Sequence, residues 1–320
     1  MRPTGPLHLG HWVGALQNWK KLQETYDCFF MVADWHALMS EYEAPAAIEQ
    51  TVKENVADWI ACGIDPSRSV VFRQSDVPEH LELYMILSVI TPLGWVERVP
   101  TYKEQLREIQ GRDLTTYGFL GYPVLQAADI LLYKAEVVPV GEDQVAHLEL
   151  AREIVRRFKS LYKESPFPEP KELLTESSKL LGLDGRKMSK SYQNAIALSD
   201  SPDEIRKMTQ KMFTDPLRIK MTDPGHPETC NVCHYYKVFA PERAAIVWEE
   251  CRTAKRGCVQ NKTELAEVLI EATEGIRKKR TALLKEGGGI AEFLKEGKEK
   301  ARTVAAGTMK EVRHLVGLAS

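Results

Sequence analysis

The feature that most constrains the fold is a pair of short, continuously apolar runs with one helical pattern between them. Residues 28–34 and 69–73 are the apolar runs, and residues 45–62 carry the helical pattern, closed by Gly63. A continuously apolar strand is typically covered on both faces, as in parallel sheets. Strand and helix alternate at the spacing of βαβ units, which predicts a parallel sheet with helices on both faces. The same reading predicts a strand over 136–140 and helices over 9–25, 79–90, 122–133 and 145–161.

The pattern changes at about residue 195. Residues 204–213, 241–252 and 263–285 are helical patterns, and a glycine break at 287–289 precedes a last helix over 291–317, interrupted by glycines. We found no convincing strand pattern there. The sequence therefore predicts an α/β domain over 1–195, followed by an all-helical domain over 196–320.

Charge and composition limit the classes of function. The chain has 320 residues, of which 43% are hydrophobic and 28% charged, and its net charge is −2. A basic footprint over the whole chain is therefore missing, and any nucleic-acid surface must be local. The densest basic run is 277–280, which contacts RNA phosphates or is only a solvated helix face. No apolar run is long enough for a membrane span, so we expect a cytoplasmic protein that binds no membrane and no DNA.

The first motif lies at the start of the chain, in residues 2–11. Prolines and a glycine mark a turn, and an apolar helical pattern follows it. His8 and His11 are three residues apart and should share one face at the start of a helix, where free N–H groups and the helix dipole favour phosphate. Gly10 has no side chain to keep a nucleotide away. Taken alone, the motif is equally consistent with a helix start carrying two surface histidines.

The second motif follows Gly185 and reads Lys187-Met188-Ser189-Lys190-Ser191. Its lysines are compact positive charges, suited to a polyphosphate whose charge grows during a reaction. Taken alone, this motif is consistent with a solvated basic loop.

Together and in this order, the two motifs resemble the signatures of class I aminoacyl-tRNA synthetases. Over essentially the whole chain the sequence is similar to the bacterial-type tryptophanyl enzymes. The resemblance implies a Rossmann-type catalytic domain with an inserted dimerisation segment, a helical anticodon-binding domain and a homodimer. It also implies that L-tryptophan, ATP and tRNA(Trp) are substrates, with Mg²⁺ on the ATP phosphates.

The resemblance assigns roles to the motif residues. Attack of the tryptophan carboxylate on the α-phosphate of ATP needs no general base, so catalysis should rest on positioning and charge stabilisation. The implied catalytic residues are His8, His11, Lys187 and Lys190. The implied ATP-binding residues are Arg2, Pro3, Thr4, Gly10, His11, Gly141, Glu142, Asp143, Lys187, Met188, Ser189, Lys190 and Ser191.

One acidic residue, Asp129, stands in the otherwise apolar helix predicted over 122–133. A carboxylate there is costly unless it meets a donor, which is an indole N–H or a neighbouring group of the protein. In the tryptophanyl enzymes the matching aspartate accepts the indole N–H. The tyrosyl enzymes have a tyrosine at the place of Ala128, which favours tryptophan here. The resemblance further implies that Tyr122 and Gln144 hold the α-amino group.

The chain departs from the family at its start. The family has a strand before the Pro-x-Gly turn, whereas this sequence begins at Met1, inside that turn. We therefore expect either residues upstream of Met1 or a sheet with one strand fewer and impaired ATP chemistry.

Four cysteines fall in the helical part: Cys230, Cys233, Cys251 and Cys258. The C-x-x-C pair has good spacing for one metal ion. Some tryptophanyl enzymes carry an iron–sulfur cluster on cysteines matching three of these, with the fourth at the place of Asn261. With Cys233 as a substitute, the sequence predicts a [4Fe–4S] cluster, a zinc ion or four unligated thiols.

Three rival functions remain open from the sequence. They are a tyrosine–tRNA ligase, disfavoured by Ala128; a nucleotidyltransferase, disfavoured by the long helical region; and a synthetase-like RNA-binding protein without catalysis.

Overall fold

The computed structural model describes residues 1–108, 113–174, 180–186, 188, 193–285 and 289–318. The strands are β1 (Phe29–Val32), β2 (Val70–Arg73), β3 (Val137–Val140) and β4 (Lys171–Leu174). The helices before residue 195 are α1 (Leu9–His11), α2 (Gln17–Leu22), α3 (Asp34–Glu41), α4 (Ile48–Ala61), α5 (Glu79–Ile90), α6 (Leu93–Glu97), α7 (Pro100–Glu108), α8 (Tyr117–Leu120), α9 (Tyr122–Leu131) and α10 (Val145–Tyr162). After it come α11 (Pro202–Gln210), α12 (Asn231–Phe239), α13 (Pro241–Arg252), α14 (Cys258–Leu284) and α15 (Ile290–Leu315).

The strands are parallel, as the sequence predicts. They form two pairs, with Phe29 opposite Val70 in β1–β2 and Val137 opposite Lys171 in β3–β4. The backbone of Met1 runs beside β1, because its amine donates to the carbonyl oxygen of Met31 at 2.6 Å and its carbonyl accepts from the N–H of Ala33 at 2.9 Å. The sequence did not predict β4, whose side chains are mostly exposed and lack an apolar pattern.

Most of the helices predicted from the sequence are present in the structure, and the differences are local. Prolines mark the starts of α5 and α13, which have the predicted bounds. The short helices α3, α6, α7, α8 and α12 were not predicted. A break was predicted in the last helix, but α15 is continuous through Gly297 and Gly307. That prediction was wrong because tertiary packing holds the helix despite the low propensity of glycine.

The described residues form two large apolar cores and a small third cluster around Phe119 and Tyr122, and the C-terminal helices contribute to both large cores. One core joins α4 to α12 and α14 through Trp59, Tyr235 and Leu269, among others. The other joins β2 and α10 to α15 through side chains that include Phe72, Phe158 and Met309. The helical region is therefore packed into the α/β layer.

The basic run 277–280, for which the sequence left RNA contact or a solvated face open, makes contacts within the protein. The guanidinium of Arg280 donates to the buried carboxylate of Asp58 at 2.7 Å. Burial raises the pKa of Asp58 to about 6, although Arg280 acts to lower it. Arg277 folds back and donates to the carbonyl oxygen of Ile270 at 2.9 Å. Both arginines of the run therefore bind their own chain.

Among the described residues, every helix is either too short or too polar to span a lipid bilayer.

Gly297 provides a test of the contact between α15 and β2. A Cβ added there would lie 1.8 Å from the carbonyl oxygen of Val71, a backbone atom that cannot move aside cheaply. We expect Gly297→Ala to lower the free energy of unfolding by about 1–3 kcal/mol or more, measured by thermal or urea denaturation. The matched control is Gly307→Ala on the same helix, where a Cβ meets nothing within 4 Å. It should be neutral, or stabilising by up to about 1 kcal/mol. Equal losses of stability in the two variants would contradict the close contact between α15 and β2.

Candidate active site

The two sequence motifs meet in the structure. The N–H of Leu9 donates to the carbonyl oxygen of Ile196 at 3.0 Å, and the N–H of Leu198 donates to that of Leu7 at 2.9 Å. The chain that leaves the second motif is thus hydrogen-bonded to the first. A Cβ at Gly10 would lie 3.2 Å from the sulfur of Met188, so the glycine allows this close approach.

His8 and His11 form a close pair of rings, tilted by 34° to each other. Their ring centroids are 3.7 Å apart, and the N–H of His8 donates to Nδ1 of His11 at 3.2 Å. His8 is buried, and His11 is half-buried. The predicted common face is therefore present, whereas contact with phosphate stays a prediction.

Of the second motif itself only Met188 is described, because Lys187, Ser189, Lys190 and Ser191 lie outside the described residues. The flanks form a closed turn around Asp184. Its carboxylate accepts from the N–H of Arg186 at 3.0 Å and from the amide of Asn194 at 2.7 Å. The N–H of Leu183 donates to the carbonyl oxygen of Asn194 at 2.7 Å. The two ends of the motif are thus held together.

Asp129 lies at the centre of a buried hydrogen-bond network. Oδ1 accepts from the amide of Gln74 and from Nδ1 of His80, and Oδ2 accepts from Nε2 of His36, each at 2.7 Å. Burial acts to raise the pKa of Asp129, but the hydrogen bonds from His36 and His80 outweigh it and lower the pKa to about 2. The carboxylate therefore stays ionised and acts only as an acceptor.

Sequence reasoning missed the three partners of Asp129. Gln74 directly follows β2, and His36 lies just after β1. Functional groups in parallel sheets cluster beyond the carboxyl ends of strands, which was the available signal for both residues. His80 lies in the first turn of α5 and is fully buried. Nothing local to its sequence distinguishes it from a core histidine.

Tyr122 lies two turns before Asp129 on α9 and belongs to a second buried cluster. Its hydroxyl is 3.0 Å from Oγ1 of Thr101 and 3.2 Å from Nε2 of His147. Burial raises the pKa of Tyr122. Burial, together with the charge of His36, lowers the pKa of His147 to about 4, although Asp143 acts to raise it. His147 is thus neutral at ordinary pH.

The predicted ribose segment follows β3. Glu142 and Asp143 are exposed, and Gly141 and Gln144 are half-buried. Gln144 accepts from the amide of Gln126 at 3.4 Å, so it lies beside α9, which also carries Tyr122 and Asp129. At the start of the chain Arg2 and Thr4 are exposed and Pro3 is buried. The structure therefore brings Gln144 to the helix of Tyr122 but places no direct hydrogen bond between them in the part that it describes.

The four cysteines do not form a metal site among the described residues, where no group of three or more His, Cys, Asp or Glu could hold an ion. Cys230, Cys233 and Cys251 are buried and Cys258 is half-buried. Hydrogen bonding from Cys233 lowers the pKa of the Cys230 thiol. The amide of Asn261 lies 3.9 Å from the sulfur of Cys233. The geometry fits hydrogen-bonded thiols, so the predicted cluster or zinc ion is unsupported.

The cluster around Tyr122 predicts acid sensitivity. Because the pKa of His147 in the folded state lies below its ordinary value of 6.5, the folded state resists protonation. Stability should therefore fall as pH drops from about 6.5 to 4, by on the order of 3 kcal/mol. His147→Gln, whose amide replaces Nε2, should flatten this part of the pH–stability curve in urea denaturation. His314→Gln is the surface control. A variant as acid-sensitive as the parent would refute the assignment.

Comparisons with known proteins identify the family. The sequence profile of the class I tRNA synthetases of the tryptophan and tyrosine type (W and Y) matches residues 1–274. A tryptophan–tRNA ligase from Thermotoga maritima is 50% identical, covering 99% of this chain and 98% of that protein. One from Aquifex aeolicus is 43% identical, covering 99% and 98%.

Solved structures agree. The tryptophanyl-tRNA synthetase from Campylobacter jejuni, complexed with ADP and tryptophan, has a TM-score of 0.90 and 34% identity, covering 99% of this chain and 98% of that one. A tyrosyl-tRNA synthetase from Archaeoglobus fulgidus shares the fold, with a TM-score of 0.67, 23% identity and 88% coverage of each chain. The paired motifs, the parallel strands and these relatives lead to one conclusion: the chain belongs to the class I aminoacyl-tRNA synthetases, in the family of the tryptophan and tyrosine enzymes.

Proposed function

We propose that the protein is a tryptophan–tRNA ligase. It activates L-tryptophan with ATP to tryptophanyl-adenylate and then transfers the tryptophanyl group to the 3′-terminal ribose of tRNA(Trp). The observation that carries the proposal is the buried, ionised Asp129, which has three donors among the described residues and, among them, an open acceptor position on Oδ2. A single N–H donor such as the indole suits that acceptor.

The site favours tryptophan over tyrosine for two reasons. Ala128 is fully buried beside Asp129 and has the small side chain that leaves room for a bicyclic ring. The relatives at 43–50% identity named above are tryptophan–tRNA ligases. The tyrosine–tRNA ligase and the non-catalytic RNA-binding protein are therefore not favoured.

The activation step relies on positioning and charge. His8 and His11 bind the triphosphate, and Lys187 and Lys190 stabilise the charge of the departing pyrophosphate. Ser189 and Ser191 donate from the same loop. Gly141, Glu142 and Asp143 bind the ribose, and residues 2–4 line the adenosine pocket. Mg²⁺ binds to the ATP phosphates and needs no dedicated set of protein ligands here.

The α-amino group of the substrate binds Tyr122 and Gln144. The rigid triad of Tyr122, Thr101 and His147 supports this, because it fixes the phenol oxygen before substrate arrives. Pre-organised groups lower the cost of binding.

The remaining partners follow from surface and packing. Residues 1–195 form the catalytic domain and 196–320 the anticodon-binding domain. Met85 and Val89 on α5 and Leu93 on α6 are each more than half exposed, an apolar face that suits a homodimer.

The protein works in the cytoplasm, where tRNA is charged. The cysteine group takes part in no step, and metal analysis after anaerobic purification tests whether it holds iron or zinc.

Amino-acid-dependent ATP–pyrophosphate exchange tests the proposal, with tryptophan and tyrosine run in parallel. We expect exchange with tryptophan and none above background with equimolar tyrosine. Asp129→Asn should raise the KM for tryptophan roughly 10- to 100-fold by placing an amide among donors, while the KM for ATP stays within about twofold. Asp65→Asn, in a surface turn, is the matched control. Exchange with tyrosine alone, or an unchanged KM in Asp129→Asn, would refute the substrate assignment.

A second test addresses the lysine motif. Because Lys190 is assigned to charge that develops during reaction, Lys190→Ala should lower kcat of exchange roughly 100-fold or more. Tryptophan affinity, measured by equilibrium dialysis, should change less than about threefold. Lys21→Ala, at an exposed position, controls for loss of a surface lysine. Equal losses in kcat and affinity would point to a structural role instead.

A further inference from the structure

One branch of the Asp129 network is a hydrogen-bonded chain of three side chains, called the relay below: Asp129, His80 and Tyr133. Nδ1 of His80 contacts Oδ1 of Asp129 at 2.7 Å, and Nε2 of the same ring contacts the hydroxyl of Tyr133 at 2.8 Å. The side chain of His80 has no exposed surface. Both ring nitrogens therefore have protein partners, and none of the motifs includes this histidine or the tyrosine.

The chemistry of the partners fixes the direction of each bond. A carboxylate can only accept, so Nδ1 of His80 carries the proton. Burial and the charges of Asp129 and Glu79 raise the pKa of Tyr133 well above its usual range, so its hydroxyl keeps its proton and can donate. Of the two ring tautomers, the one with its proton on Nδ1 leaves Nε2 free to accept from that hydroxyl. Tyr133 thus selects the tautomer in which His80 donates to Asp129.

Tyr133 is itself held in place. Its ring stacks on Phe29 of β1 with centroids 4.7 Å apart and meets Phe72 of β2 edge-on at 5.4 Å. Two strands therefore fix the ring, and the hydroxyl is a stationary anchor for the histidine.

The hydrogen bonds to Asp129 from the described residues use three of its acceptor positions. A carboxylate offers about four acceptor positions, two on each oxygen. Oδ1 accepts from Gln74 and His80, whereas Oδ2 accepts only from His36 among the described residues. The remaining acceptor position is therefore on Oδ2, and rotation of the carboxylate would break two bonds on Oδ1.

We propose that His80 and Tyr133 are a positioning pair that holds Asp129 with the open acceptor position of Oδ2 toward the indole N–H of tryptophan. The proposal rests on the proposed function, because it assumes that Asp129 receives the indole. Neither residue touches the substrate. They act on the affinity for tryptophan through the orientation of the carboxylate and leave the chemistry at ATP unchanged.

Two substitutions of His80 separate its two nitrogens. In His80→Asn the amide nitrogen takes the place of Nδ1, so the donor to Asp129 remains while the bond to Tyr133 is lost. In His80→Gln the amide lies at the place of Nε2, so the donor to Asp129 is lost. We expect the KM for tryptophan in ATP–pyrophosphate exchange to rise about threefold in the first and roughly 10- to 30-fold in the second. The kcat and the KM for ATP should stay within about twofold in both.

Tyr133→Phe tests the relay without touching the histidine, since the ring packing on Phe29 and Phe72 is kept. We expect the KM for tryptophan to rise about three- to tenfold, because His80 loses the partner that selects its tautomer. In ¹⁵N-detected NMR of histidine-labelled protein, the His80 ring should be protonated at Nδ1 in the parent and mixed in the variant. Tyr236→Phe removes another buried hydroxyl, which lies 3.4 Å from the carbonyl oxygen of Asn261, and is the matched control. Its KM for tryptophan should not change.

The outcomes separate this proposal from the function on which it rests. Asp129→Asn is measured beside these variants. If it raises the KM for tryptophan while His80→Gln and Tyr133→Phe do not, the positioning pair is refuted and the substrate assignment stands. If it leaves that KM unchanged, the substrate assignment itself falls. Equal effects of His80→Asn and His80→Gln, or parallel losses in the KM for ATP, indicate only a structural role and overturn the proposal.

Discussion

The structure depends on keeping one carboxylate ionised in an apolar interior. Asp129 lies on an apolar helix, where an unpartnered charge would cost several kcal/mol. Its donors come from α3, from the turn after β2 and from α5, so four separate parts of the chain must converge within hydrogen-bond distance. Their convergence requires that both strands end at the same edge. Parallel pairing of β1 and β2 provides this edge.

The same requirement explains why the helical region is part of the scaffold. α15 lies on β2 so closely that only glycine fits at position 297. Arg302 and Arg313 of that helix pair with Glu79 and Glu82 at the start of α5, the turn that carries His80. The C-terminal helix α15 therefore packs against β2 and α5, the two elements that position Gln74 and His80 beside the Asp129 carboxylate. The arginine at 280 has a similar structural use, since it neutralises the buried Asp58.

The elements of the structure differ in how well the sequence predicts them. The helices α5, α10 and α13 were predicted well because prolines or short turns mark their limits. The exposed strand β4 and the short helix α12 were missed because neither has a long apolar period. The continuity of α15 was mispredicted because glycine propensity is a local quantity, whereas close contact with β2 rewards a residue without a side chain. At the cysteines, ligand spacing was present in the sequence, but the fold arranges the thiols as hydrogen-bonding partners.

The sequence alone determined the class of the fold, the two motifs that indicate the family and the one acidic residue of an otherwise apolar helix. Those properties depend on residue type and spacing along the chain, which is all that a sequence records. Only the tertiary structure decided that His36, Gln74 and His80 surround Asp129, that Met188 approaches Gly10, and that the helical region shares both apolar cores with the strands. Contacts between residues far apart in sequence leave no periodic signal, because they depend on how the elements pack and on which buried groups must find a partner.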